Sequence, residues 1–65
     1  MSRIKFVDVW NDVETIVVYE SGKSHTYRSN VPKTVETFKQ NATRKQTYYD
    51  CTGTNKHTFY DNLPV

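Results

Sequence analysis

The residues best suited to chemistry stand together in Arg44-Lys45-Gln46-Thr47-Tyr48-Tyr49-Asp50, basic first and aromatic after. Cations of this kind neutralise phosphates while rings stack on bases, each stack contributing roughly 1–3 kcal/mol. Arginine offers a planar fork of donors and lysine a compact point charge. Neighbours in an extended segment face opposite sides, so one of Tyr48 and Tyr49 is expected in the core and the other on a ligand. The bland alternative packs one tyrosine under a helix and sets Arg44 and Lys45 against that helix's C-terminal dipole. Outlying candidates for the same ligand are Arg28, as a phosphate clamp, and Lys56, which closes the hydroxyl-rich run Thr52-Gly53-Thr54-Asn55-Lys56. That run lacks the second glycine and the Gly-Lys-Ser/Thr order of a phosphate loop, and it reads as a hairpin turn. If the ligand is held elsewhere, the next candidates are His25 and Tyr27 together with the C-terminal hairpin.

Catalytic patterns are weaker. His25 and Cys51 would need hydrogen-bond reach and a third orienting group to act as base and nucleophile. A lone cysteine in a small domain is more often a packing residue. His57 reads as a solvated histidine. Asp8, Asp12, Glu14 and Glu20 read as solubilising or turn-forming carboxylates. No metal-ligand spacing is present. The chain is therefore expected to be non-enzymatic, with no cofactor and no metal.

Sixty-five residues and 7.7 kDa allow a single domain, 1–65. A chain of this size hides only about 60% of its unfolded surface and usually needs a disulfide, a metal or a partner subunit. With one cysteine, a homo-oligomer is the expected remedy. No apolar run approaches the roughly 18 residues of a membrane span, and no signal-peptide core follows Met1. The expectation is a cytoplasmic chain with no membrane partner. A formal charge of +2 is too small to demand nucleic acid.

Nine Thr, eight Val, five Tyr and three Phe against one Ala and one Leu favour strands. Strands are expected over 4–10, 15–20 and 24–29, joined by turns at Asn11-Asp12 and Ser21-Gly22-Lys23. In the first, Ile4, Phe6 and Trp10 share one parity and Val7 and Val9 the other. An odd-length hairpin loop would put Val17, Tyr19, His25 and Tyr27 on one face, and Ile16 and Val18 on the other. Pro32 opens a helix expected over 33–43, with Val31, Val35, Phe38 and Ala42 on one side. A last strand is expected over 57–60. One helix covers one sheet face, so the second needs Trp10, the C-terminal segment or another subunit.

The run Val17-x-Tyr19-x-Ser21-Gly22-x-x-His25-x-Tyr27-x-x-Asn30-Val31-Pro32 resembles the central motif of the KTSC domain, the short domain named for the C-terminus of some lysyl-tRNA synthetases. Val35, Phe38, Ala42 and Tyr48-Tyr49-Asp50 extend the resemblance over residues 9–50, and 51–65 have no counterpart. His25 stands where the family places the first of two aromatics, and its later Ser-x-Gly falls on Arg44 and Gln46. The resemblance implies an α+β fold, a small antiparallel sheet (a three-stranded meander) with one helix, followed by a C-terminal hairpin or extended segment. Small standalone proteins of this kind occur in phages, which would place the chain in the host cytoplasm. The expected function is a self-associating module that sequesters a cyclic nucleotide or short oligonucleotide, as phage sponges do for cyclic nucleotide immune signals. The alternatives are an RNA-binding module and a protein-interaction module that inhibits a host protein.

Overall fold

The computed structural model describes residues 3–62. Strand β1 (Ile4–Trp10) turns through Asn11 and Asp12, both in the left-handed region at φ 48° and 59°. Asparagine and aspartate tolerate that conformation, and two such residues in succession match the twist of a hairpin. Strand β2 (Glu14–Tyr19) returns, and the three residues 20–22, with Gly22 at φ 92° and closed by the Tyr19 N–H donating to Lys23 O, lead into β3 (Ser24–Tyr27). Pro32, at φ −59° and ψ 149°, precedes helix α1 (Lys33–Gln40), and β4 (Arg44–Tyr49) and β5 (Lys56–Asp61) form a closing hairpin.

All five strands lie in one antiparallel sheet of order β3-β2-β1-β5-β4. Directions alternate along that order, so β3 and β4 run parallel at opposite edges. Such strands need a crossover connection, and α1 supplies it across one face. The protein is thus an α+β fold with one layer of helix on one layer of sheet.

The core lies between those layers. Val7 and Val17 are directly opposed, Val9 is opposed to Thr15, and Val35 of the helix seals them. Ile4, Tyr19, Tyr27, Val31, Phe38 and Tyr60 pack half-buried around these four valines.

Several expectations need correction. The segment 44–49 is a full sheet strand, so the sheet has five strands and the C-terminal hairpin belongs to it. Every residue of β4 is exposed, which is why no apolar alternation marked it. Helix α1 stops at Gln40 rather than Thr43. Asn41 turns out of the helix, and Thr43 gives its N–H to Asn62 Oδ1 at 3.0 Å and its hydroxyl to Asp61 O at 3.4 Å. Strand β3 ends at Tyr27, not residue 29. Ile4 does not share a face with Phe6, because the β1–β2 register shifts between them and returns Ile4 to the valine side. The odd-length loop and the face assignments of residues 16–19 hold, with Val17 opposite His25 and Thr15 opposite Tyr27.

So small a core makes each valine count. Val17→Ala removes two buried carbon atoms and should lower the unfolding free energy by about 2 kcal/mol, a large share of what a small domain has. Val13→Ala, at a position 57% exposed, should leave it nearly unchanged. Urea denaturation of the two variants checks both.

Candidate functional site

The expected ligand cluster does not converge. Arg44 and Tyr48 project from β4 to the sheet face away from the helix, and Lys45 and Tyr49 to the other, as the register with β5 requires. Neither tyrosine enters the core: Tyr48 is 46% and Tyr49 61% exposed. This edge strand lies beyond the reach of the eight-residue helix, so no helix covers either ring. Arg44 Nη2 donates to Gln46 Oε1 at 3.3 Å, and Lys45 Nζ sits 5.6 Å from the Tyr60 ring centroid.

The outlying cations are engaged elsewhere. Arg28 Nε lies 3.5 Å from Glu14 Oε1, and Lys56 Nζ donates to Asp12 Oδ2 at 3.1 Å. Lys56 thereby ties the β1–β2 turn to β5. Its backbone N–H also donates to Asn11 Oδ1 at 2.7 Å.

His25 and Tyr27 fare differently. They sit two apart on β3 with ring centroids 4.3 Å apart. His25 lines a half-open groove of about 560 Å³ between the β2–β3 hairpin and the start of α1, together with Ile4, Tyr19, Ser21, Lys23, Ser24 and Thr34. The volume lies within the range of small-molecule sites. Its polar lining is one ammonium, one imidazole, three aliphatic hydroxyls and the Tyr19 phenol, with no carboxylate. Such a set receives an anion without like-charge repulsion, and the Tyr19 and His25 rings offer flat faces to a base. The neighbouring Tyr19 hydroxyl, followed by burial, pushes the Tyr27 phenol above its ordinary value. A second recess of about 450 Å³ adjoins this groove, sharing Ile4 and Thr34 and lined further by Arg3, Glu20 and Asn62. The sequence named His25 and Tyr27 but missed Lys23 and Thr34. Only the hairpin's loop length and the helix position bring those two beside His25.

The other sheet face holds a group that sequence reasoning misread. His57 is buried, 7% exposed, with Nδ1 3.2 and 3.3 Å from the two Asp8 carboxylate oxygens. Tyr48 stacks on its imidazole at 4.9 Å and 5° between planes, and Trp10 meets its edge at 4.1 Å. Asp8 is therefore a partner within the sheet rather than a turn residue, and His57 is not solvated. Burial, then the Asp8 charge, pushes the Tyr48 phenol upward. The signal available was Asp8 itself, a carboxylate mid-strand on the parity of Phe6 and Trp10. Cys51 is exposed in the β4–β5 turn, at the opposite edge of the sheet from His25. The two therefore do not form a base–nucleophile pair.

Among the described residues, no group of three or more His, Cys, Asp or Glu is placed to hold a metal. No described helix is long and apolar enough to cross a membrane. No family model, curated protein or solved structure matches the chain, so the likeness to the KTSC domain stands on the residues quoted for it.

The β4–β5 turn carries the largest titration effect. Thr52 and Asn55 donate side-chain hydrogen bonds to the Asp50 carboxylate, at 2.5 and 2.6 Å, and hold its pKa far below the ordinary 3.8. A depressed carboxylate stabilises the fold above its unfolded pKa and loses that contribution as pH falls through the folded one. The melting temperature should therefore drop below about pH 4, and Asp50→Asn should flatten that acid limb while lowering the plateau at pH 7. Thermal melts from pH 2 to pH 7 check this.

Proposed function

We propose that the chain is a non-catalytic, self-associating module that sequesters a nucleotide ligand. The observation that carries this reading is the carboxylate-free groove at Lys23 and His25, with its hydroxyls and ring faces. Phosphate would sit against the Lys23 ammonium and the hydroxyls of Ser21 and Thr34, and a base against Tyr19 or His25. The adjoining recess, lined by Arg3 and also by the Glu20 carboxylate, offers room for a second nucleotide unit whose phosphate would sit on the Arg3 side, so a cyclic dinucleotide or short oligonucleotide is the favoured ligand class. Such ligands suit the role of a phage sponge that removes cyclic nucleotide immune signals from the host cytoplasm. Tyr19, Ser21 and His25 of the KTSC-like run are among the residues that line this groove, which supports reading the resemblance and the site together. Turnover is not part of the reading.

A second reading has its own observation. Arg44, Lys45, Tyr48 and Tyr49 are all exposed on one edge strand, a surface along which single-stranded RNA could track with its bases stacked. Affinity would then fall steeply with salt as counterions are released.

Titration calorimetry with cyclic di- and trinucleotides and with a short RNA separates the two. Lys23→Ala and His25→Ala should each weaken nucleotide binding at least tenfold with unchanged melting temperature, while Arg44→Ala and Tyr48→Leu leave it intact. The reverse pattern, with strong salt dependence, establishes the RNA surface. No binding of either ligand removes the nucleotide reading.

A further inference from the structure

The sheet face opposite the helix is built to be covered. Its central strands present Phe6, Trp10, Ile16, Val18 and Phe59 in one continuous apolar field around the Asp8–His57 pair. Phe6 and Phe59 pack with centroids 4.9 Å apart. The Trp10 indole N–H is closed off from solvent with no hydrogen-bond partner. No described element lies over this face. With only four valines as buried apolar core on the helix side, the domain has strong reason to bury the other side as well.

We infer that this face pairs with the same face of a second copy, about a two-fold axis running across the strands at the level of Asp8. The inference rests on the reading of the chain as self-associating and names the surface that does it. The registers set the face in three rows: Val18-Phe6-Asp61-Arg44, Ile16-Asp8-Phe59-Gln46 and Glu14-Trp10-His57-Tyr48. That axis places the first row of one copy over the third row of the other. Arg44 then meets the partner copy's tyrosine ring, Asp61 meets its buried histidine, and Phe6 meets its indole. The middle row lies on itself, isoleucine on isoleucine and Phe59 on Phe59. At the edge of the patch Val18 lies over Glu14 of the other copy. Asp8 meets its own copy, each carboxylate already held by its own His57 at 3.2 Å.

Size agrees. Five strands about 4.8 Å apart and six residues of about 3.3 Å each give a patch roughly 20 Å square. That is about 400 Å² per copy, the size of a weak, reversible interface. Charge argues against a nucleic acid on this face, because Asp8, Glu14 and Asp61 lie within it and would repel phosphates.

The test uses the full chain. Light scattering of the wild type should give twice 7.7 kDa, and Ile16→Lys should halve that mass or drive aggregation. In a Cys51→Ser background, Ile16→Cys should form a disulfide-linked dimer under mild oxidation, while Thr37→Cys on the exposed helix surface should not. A wild-type monomer overturns both this interface and self-association. A dimer that survives Ile16→Lys and gives no crosslink at Ile16 overturns the interface and leaves self-association and the nucleotide reading standing.

Discussion

One eight-residue helix must serve five strands, and that mismatch shapes the rest of the molecule. An α-helix of this length covers about 12 Å by 10 Å, less than a five-stranded sheet presents even on one side. The helix therefore seals the middle of one face, over Val7, Val9 and Val17, and leaves three regions open. These are the β3 edge with its groove, the β4 edge with its row of exposed side chains, and the entire opposite face. Each carries a functional assignment here because each is surface the core did not consume.

Electrostatics partition those regions. Two of the cations proposed for a ligand are taken by carboxylates instead: Arg28 by Glu14 and Lys56 by Asp12. These exposed pairs contribute little to stability individually. What they do is remove positive charge from the places where a phosphate could otherwise settle. The groove at Lys23 and His25 has no such competitor among its lining residues. The contrast, rather than total charge, distinguishes it.

The sequence was informative where side-chain alternation or local dihedral preference decides the outcome. Strand β1 reads directly from Ile4–Trp10, the turns read from Asn11-Asp12 and Gly22, and the helix start reads from Pro32. It was silent where tertiary partners decide. Strand β4 has no buried residue to give it a period, and the helix ends early because Asn62, some twenty residues later, takes the Thr43 N–H. The site followed the same rule. His25 and Tyr27 were recognisable by type, whereas Lys23 joins them only through the loop geometry. Arg44 and Tyr48, though adjacent to Lys45 and Tyr49 in sequence, are split by the strand pleat. Asp8 and His57 are 49 residues apart, and no local pattern links them.

That separation also governs how the chain reaches its shape. The sheet's central pairing joins β1 to β5, so the middle of the sheet is finished only when β5 arrives. Closing so long a loop costs conformational entropy before any long-range contact repays it, which slows folding relative to helical proteins of equal size. Until β5 docks, β1 is a bare edge carrying alternating valines and aromatics. During synthesis this edge waits exposed while α1 and β4 emerge. A neighbouring nascent chain can offer it a strand in that interval, so crowding on a polysome, rather than heat, is the condition under which this fold is most exposed to mispairing.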